Sequence, residues 1–175
     1  MLSLRSNKTE TYWPRYNTLN KIAIFADVQN IYYTTRQAYG RQFDYRTFWD
    51  RVRSEGTIIS AIAYAIDRGD EQQIKFQDAL KHIGFSIKLK PYIQRSDGSA
   101  KGDWDVGITI DVMETAKSVD TVVLLSGDGD FDLLLQNICK NYDVRAEVFG
   151  VPALTANSLI RSATTFHPIE EGLLL

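Results

Sequence analysis

Residues 122–132, VVLLSGDGDFD, pass from an unbroken apolar run directly into a glycine-rich turn that carries three aspartates. Residues 22–30, IAIFADVQN, repeat this arrangement, with Asp27 directly after an apolar run. Continuous apolar runs of this length are typical of strands that are buried on both faces of a sheet. We therefore interpret residues 22–26 and 122–125 as central strands, each with a carboxylate near its carboxyl end.

The rest of the chain predicts an alternation of strands and helices. Residues 58–66 form another continuous apolar run, whereas residues 87–93 and 144–148 alternate apolar and polar side chains, which is typical of edge strands. Apolar side chains at helical spacing within residues 76–83 and 131–138 predict helices between the strands. This alternation implies an α/β fold with right-handed βαβ units and a mostly parallel sheet.

The order of the five predicted strands follows from which are central and which are edges. Numbered along the chain, they fit the order 3-2-1-4-5, which reverses direction between strands 1 and 4. Ligands bind at the carboxyl ends of the strands at such a switch point. We therefore expect the functional site just after residues 26 and 126.

One domain accounts for most of the 175 residues. We predict a flexible amino-terminal arm over residues 1–20, the domain itself over residues 21–169 and a short tail over residues 170–175. No apolar stretch approaches the roughly 18 residues of a membrane span, and the amino terminus lacks the apolar core of a secretory signal. We therefore expect a cytoplasmic location and no membrane partner, and the single residue Cys139 excludes an intrachain disulfide.

Charge is unevenly distributed along the chain. The 20 Lys and Arg and 22 Asp and Glu give a formal net charge of −2. Between Lys101 and Asp132, seven Asp and one Glu stand against two Lys, a net of −6, which leaves +4 for the remainder. This division indicates a mildly basic protein with an acidic centre, so the net charge does not exclude a nucleic-acid partner.

Three segments of the chain bring acids to the predicted switch point. Asp27 follows the first strand, Asp128 and Asp130 follow the fourth, and Asp105 lies near the start of the helix that leads into the fourth strand. Two carboxylates about 4 Å apart repel by roughly 4 kcal/mol at an effective dielectric constant near 20. A Mg²⁺ or Mn²⁺ ion prefers oxygen ligands, would offset this repulsion and supports phosphoryl displacement.

Simpler roles remain open for several of these side chains. A role in a helix cap or a turn explains Asp27 as well as a metal site does, and Asp130 stands where it would cap the following helix. Asn30 would either orient a ligand or complete a turn. Asp103 would cap its helix, and at about 100° per residue Asp111 lies some 120° from Asp105, where a solvated position is at least as reasonable. Asp105 itself falls on the mostly apolar side of that helix, which favours a function.

Cations and aromatic residues are interleaved outside the acidic segment. Cations bind backbone phosphates and aromatic rings stack on unpaired bases, although solvated charges and core rings explain the same residues. Lys101 and Trp104 are our candidates for substrate binding, because they stand beside the acids. The wider set is Arg36, Arg41, Arg46, Lys88, Lys90, Arg95, Tyr32, Tyr33, Tyr39 and Tyr92.

Three stretches together resemble the NYN domain, specifically the LabA-like proteins of the PIN-like nuclease superfamily. They are IFADVQNIYY at residues 24–33, KGDWDVGITIDVM at residues 101–113 and LLSGDGDFDLLL at residues 124–135. The resemblance covers about residues 20–168. It implies a three-layer α/β/α, Rossmann-like PIN fold with a mostly parallel five-stranded sheet, and metal-dependent cleavage of RNA.

The resemblance also implies roles for individual residues. By motif position, Asp27, Asp105 and Asp128 look like the metal-binding acids, Asn30 matches the Asn after the first Asp, and Asp130 matches the second acid of the fourth motif. A recurrent Asp within the third-motif helix corresponds to Asp111. Many relatives carry one more acid on a helix between the first and third motifs. Asp44, Asp67 and Asp70 are candidates for this position, and no motif distinguishes between them.

The leading hypothesis is a Mg²⁺- or Mn²⁺-dependent endoribonuclease that hydrolyses phosphodiester bonds, with single-stranded RNA as the expected partner. Asp27, Asp105 and Asp128 would hold the ion, Asp130 would support a second ion or a water, and Asn30 would position the phosphate. The alternative is an NYN regulatory or RNA-binding module with weak or absent cleavage. The RNA target, DNA tolerance, the number of ions and a homodimeric state remain open.

A phosphohydrolase is a third and less favoured hypothesis. It would use Asp27 as a covalent nucleophile, but that chemistry requires a second Asp two residues later, where Gln29 stands.

Overall fold

The centre of the protein is a six-stranded sheet in which every pair of neighbouring strands is parallel. The computed structural model describes residues 19–97 and 100–175, without the side chains of residues 100 and 101. Residues 1–18 of the predicted arm therefore lie outside the described residues. The main strands are β1 Lys21–Asp27, β2 Thr57–Asp67, β3 Ser86–Pro91, β6 Thr121–Leu125, β7 Arg145–Gly150 and β8 Thr165–Pro168.

Helices connect these strands and cover both faces of the sheet. They are α1 Val28–Tyr39, α2 Tyr45–Arg53, α3 Glu71–Ile83, α4 Asp105–Thr115, α5 Asp132–Tyr142 and α6 Asn157–Ser162. Two short antiparallel strands, β4 Ile93–Gln94 and β5 Ala100–Lys101, form a separate ladder before α4. Asp44 caps α2 by accepting hydrogen bonds from the next turn, as its position before a helical pattern indicates.

The predicted α/β fold and the order of the five predicted strands are confirmed, because the sheet runs β3-β2-β1-β6-β7-β8. The predicted number of strands was wrong, since β8 adds a sixth strand beside β7. The alternation around Glu147 suggested an edge strand, but this glutamate is buried on β7 and lies 2.9 Å from the His167 imidazole of β8. A buried polar residue that has a hydrogen-bond partner, such as Glu147, gives the same alternation of apolar and polar residues as a polar residue exposed to solvent.

Two apolar cores lie on opposite faces of the sheet. Alternate residues of β1 point to opposite faces, so Ile24 joins a cluster with Phe48 of α2, whereas Phe25 joins a cluster with Ile108 of α4. This arrangement gives the three α/β/α layers. Within the described ranges, none of the helices combines the length and the apolar character needed to cross a bilayer.

The carboxyl-terminal residues, which the sequence predicts as a tail, pack against the domain. Leu173 and Leu174 are buried in the same core cluster as Phe43, and Leu174 forms an antiparallel bridge with Phe43. Arg41 donates a hydrogen bond to the main-chain oxygen of Leu175 at 2.8 Å. The end of the chain therefore contributes to the core beneath α2.

Candidate metal centre

Three carboxylates meet at the carboxyl edge of the sheet. One oxygen from each of Asp105, Asp128 and Asp130 lies within 4.8 Å of the others. Asp105 is the first residue of α4, and the other two belong to the loop after β6. The predicted switch point therefore brings the third and fourth sequence motifs together, although they are separated along the chain by α4 and β6.

Asp27 stands beside this group rather than within it. Its carboxylate accepts hydrogen bonds from the Asn30 main-chain N–H at 3.2 Å and the Ser126 hydroxyl at 3.3 Å. The first of these bonds caps α1, so the structural role that the sequence left open is present. Its charge nevertheless acts on Asp105, which places it within electrostatic reach of the three-carboxylate group.

Ser126 connects the two central strands at the site, and the sequence reasoning missed it. This fully buried residue donates to Asp27 and accepts a hydrogen bond from the Asp128 main-chain N–H at 3.2 Å. Asp128 in turn accepts from the Asp130 main-chain N–H at 2.9 Å. The only signal in the sequence was a polar residue at the end of an apolar strand, which is common in turns.

The pKa values of two acids are raised by their surroundings. Burial raises the pKa of the Asp27 carboxyl to about 6; its two hydrogen bonds oppose the rise, and the charges of Asp128 and Asp103 add to it. Burial likewise raises the pKa of Asp105 to about 6, with further contributions from Asp103, Asp128, Asp27 and Asp130. Both carboxyl groups therefore bind protons more tightly than free carboxyl groups do, mainly because burial disfavours the charged form and to a smaller extent because neighbouring carboxylates repel it.

No described lysine or arginine side chain forms an ion pair with these acids. The ammonium group of Lys90 donates to the main-chain oxygen of Asp103 at 2.9 Å. Clustered carboxylates without a protein counter-charge are the donor set that Mg²⁺ and Mn²⁺ prefer. The residues present therefore fit a hard divalent cation.

Close packing holds the loop that carries Asp128. A Cβ atom at Gly127 would lie 2.9 Å from both the Leu154 carbonyl oxygen and the Thr155 hydroxyl. At Gly129 it would lie 2.9 Å from the Cβ atom of Ala156. The two glycines of the SGDGD motif are therefore required for close approach of the chain, which positions Asp128 between them and Asp130 directly after them.

The alternative in which Asp130 caps the following helix is not what the structure shows. Asp128 caps a short 3-10 turn over residues 129–131, and α5 begins at Asp132 without a side-chain cap. One oxygen of the Asp130 carboxylate instead lies within 4.8 Å of oxygens of Asp105 and Asp128. Trp104, rather than Asp103, precedes α4, and it provides no side-chain cap either.

Asp111 has a separate set of contacts. It accepts hydrogen bonds from the Tyr64 hydroxyl at 2.7 Å and the Lys88 ammonium at 2.6 Å, and its side chain is 16% exposed. It thus joins α4 to β2 and β3, and the solvated position considered from its helical angle is not observed. The three-carboxylate group does not include it.

The three acids considered for an additional family position all serve local structure. Asp44 caps α2, Asp70 accepts a hydrogen bond from the Gln73 N–H at the start of α3, and Asp67 accepts one from the Gly69 N–H. None belongs to the three-carboxylate group.

The two candidates for substrate binding lie three positions apart along the chain and are described to different extents. Lys101 pairs through its main chain with Ile93, and its side chain lies outside the described part of the structure. Trp104 donates from its indole nitrogen to the Ala65 carbonyl oxygen at 2.9 Å, and the Lys90 ammonium lies 4.4 Å from its ring centroid. These contacts fix the chain immediately before Asp105.

Comparisons with known proteins agree with this architecture. The NYN domain family matches residues 21–170. The chain is 31% identical over 153 residues to the low amplitude and bright protein LabA of Synechococcus elongatus, covering 83% of this chain and 81% of that protein. A crystal structure of a protein of unknown function from Vibrio parahaemolyticus superposes with a TM-score of 0.87 at 52% identity, covering 91% of this chain and 98% of that one. The resemblance drawn from the three motifs is confirmed: the chain belongs to the NYN domain family, within the PIN-like nuclease superfamily.

Proposed function

We propose that this protein is a divalent-metal-dependent endoribonuclease that hydrolyses phosphodiester bonds of single-stranded RNA. The observation that carries the proposal is the convergence of Asp105, Asp128 and Asp130, with Asp27 beside them, in the absence of a described protein counter-charge. Membership of a nuclease superfamily supports the same chemistry.

The residues that would hold a Mg²⁺ or Mn²⁺ ion are Asp105, Asp128 and Asp130, with Asp27 as the adjoining carboxylate. Such an ion would offset their mutual repulsion and supply the Lewis acidity that phosphodiester hydrolysis requires. Ser126 keeps Asp27 and the Asp128 main chain in fixed relation through its two hydrogen bonds. The Asp27 carboxylate and the Asp128 main chain are thereby held in place before any ligand arrives, which reduces the cost of ordering them on binding.

Asn30 supports the substrate side of the proposal. Its side-chain oxygen is held by the Gly127 N–H, and its NH₂ group makes no hydrogen bond with any described residue. An oriented amide with free donors beside a carboxylate cluster suits a phosphate oxygen. Trp104 would contribute by holding the start of α4. Lys101, three residues earlier in the chain, stays a predicted substrate-binding residue.

Metal-dependent cleavage of a labelled single-stranded RNA tests the proposal. We expect cutting with Mg²⁺ or Mn²⁺ and none in EDTA, and we expect Asp128→Asn to reduce the rate by at least about 100-fold, by analogy with the loss of one preorganised electrostatic group. Circular dichroism should show that the variant remains folded. Cutting that persists in EDTA or in the folded variant would refute the mechanism. RNA binding without cutting under either metal would instead indicate a regulatory or RNA-binding module.

A further inference from the structure

A concave site separate from the three-carboxylate group lies between α1 and α3. Its volume is about 460 Å³, within the range of roughly 300–1,000 Å³ that is typical of small-molecule sites. We propose that this cavity is a nucleotide subsite, which takes one unpaired base and its phosphate from the single-stranded RNA. The inference extends the proposed nuclease function, because it assigns where the strand lies outside the acidic centre.

The position of the cavity connects it to the acidic centre. Val28 and Gln29, which directly follow Asp27, line one side, and Ala65 and Ile66 line it at the carboxyl end of β2. Tyr45 also lines it; burial raises the pKa of its hydroxyl, and the charge of Asp27 adds to the rise. Part of the wall is therefore within electrostatic reach of Asp27, as expected if one strand contacts both sites.

Two tyrosines supply aromatic surface at this cavity. Tyr32 and Tyr33 line it and are 46% and 49% exposed, with ring centroids 5.3 Å apart in an edge-to-face arrangement. Half-exposed rings on a concave surface are suited to stacking by a planar base, since every base has a π face. Buried core rings, which were the alternative explanation from the sequence, would not leave this area open to solvent.

Two arginines place positive charge beside these rings. The Arg36 guanidinium lies 5.3 Å from the Tyr32 ring centroid, and Arg68 donates to the Tyr33 hydroxyl at 3.1 Å. Neither forms an ion pair with a carboxylate among the described residues. Asp70 lines the same cavity, but its carboxylate accepts the hydrogen bond that caps α3. The cavity therefore offers cations to a phosphate next to a stacked base.

Amide groups complete the set of groups that a nucleotide requires. Gln29 and Gln72 line the cavity, and their side chains make no hydrogen bond with any described residue. Gln73, in contrast, is occupied, because it bonds to the main chain of both Ile66 and Arg68. Free amides can both donate to and accept from the edge of a base. Aromatic faces, unpaired guanidinium groups and free amides together favour a nucleotide over a purely apolar ligand.

Fluorescence anisotropy of the full chain in EDTA tests the subsite separately from cutting. The probes are a labelled ten-residue oligouridine and a ribose-phosphate strand of equal length without bases. We expect Tyr32→Ala to raise the Kd for oligouridine about tenfold or more, since stacking contributes roughly 1–3 kcal/mol per base. Tyr32→Phe, which keeps the ring, should stay within about twofold of the native protein. The strand without bases should bind native protein and Tyr32→Ala equally.

Charge is tested by Arg36→Gln. Lys140→Gln is the matched control, because Lys140 is an exposed residue near the end of α5, the helix that precedes β7. Arg36→Gln should weaken binding of both strands and reduce the slope of log K against log salt by about 0.7, as expected for one lost phosphate contact. The control should change neither quantity to that extent. Gel analysis of the probe confirms that it is intact.

Unchanged oligouridine affinity in Tyr32→Ala, or equal weakening of the strand without bases, would overturn the subsite. Uridine monophosphate that binds without displacing oligouridine would also overturn it, in favour of a site for free nucleotides. The two proposals fail separately: base-dependent binding without any cutting retains the subsite and refutes the nuclease, whereas cutting with no effect of Tyr32→Ala refutes only the subsite.

Discussion

The side-chain oxygen of Asn30 accepts a hydrogen bond from the main-chain N–H of Gly127 at 2.9 Å. The two residues are 97 positions apart in the chain, one in the first turn of α1 and the other in the loop after β6. This bond joins the first and fourth sequence motifs directly across the switch point of the sheet. It therefore helps to set the distance between Asp27 and Asp128 without involving either carboxylate.

Removing this bond should reduce stability as well as activity. Asn30→Ala leaves a partly buried N–H without its acceptor, which costs about 1–3 kcal/mol, and each kcal/mol lowers Tm by about 2–4 °C in a protein of this size. Thermal denaturation followed by circular dichroism measures the change. Asn30→Asp keeps an acceptor at this position and serves as the control for the hydrogen bond. An unchanged Tm in Asn30→Ala would contradict the structural role.

Metal binding should be visible in stability without any assay of cleavage. At a Mn²⁺ concentration of 100 Kd, binding to the native state alone adds about 2.7 kcal/mol, and Tm rises accordingly. Asp105→Asn should lose most of this gain. Without metal, the same variant should be at least as stable as the native protein, because one repelling charge is gone. A full Mn²⁺ effect in the variant would exclude Asp105 as a ligand.

The pH dependence of the metal-free protein follows from the pKa of Asp27, which burial raises to about 6. A carboxyl with a higher pKa in the folded state stabilises that state at low pH, and this contribution is lost as the pH rises from about 4 through 6. The stability of the native protein relative to Asp27→Asn should therefore fall between pH 4 and 7, as measured by denaturation in EDTA. A difference that is constant over this range would contradict the raised pKa.

Asp111 should behave differently from the clustered acids, although the family resemblance includes it. Asp111→Asn weakens the contacts with Tyr64 and Lys88, so we expect a loss of about 1 kcal/mol in stability. Its Mn²⁺-induced rise in Tm should remain close to that of the native protein, because its oxygens are bound elsewhere. Loss of the Mn²⁺ effect in this variant would place Asp111 in the metal site.

The loop glycine Gly127 should be sensitive to a single added methyl group. Gly127→Ala places a Cβ atom 2.9 Å from the Leu154 carbonyl and the Thr155 hydroxyl, and such overpacking costs about 1–3 kcal/mol. We expect a lower Tm and a smaller Mn²⁺ effect, because Asp128 is displaced with the loop. Gly172→Ala is the matched control, since its added Cβ atom meets nothing within 4 Å. Equal Tm values for the two variants would show that the loop relaxes freely.

Much of the fold was readable from local patterns. The apolar runs of β1 and β6 identified central strands, because a strand that is buried on both faces is apolar throughout. The helical spacing between them identified crossover helices, because a helix that is buried along one stripe repeats its apolar residues every three to four positions. The sixth strand was not readable in this way. β8 is only four residues long. The side chain of its His167 contacts that of Glu147 on β7, and because the two residues are 20 positions apart, this contact leaves no local periodicity in the sequence.

The acids themselves and the edge of the sheet where they gather were set by the order of motifs along the chain, since parallel strands bring their carboxyl ends to one edge. Their final partners were decided by folding. Ser126 and Gly127 link Asp27, Asn30 and Asp128 through hydrogen bonds between distant segments, and Asp111 is drawn to Tyr64 and Lys88. Helical periodicity placed Asp111 on a face but did not identify the strands packed against it. Spacing along a chain limits which residues can meet, whereas desolvation and packing in three dimensions determine which of them do.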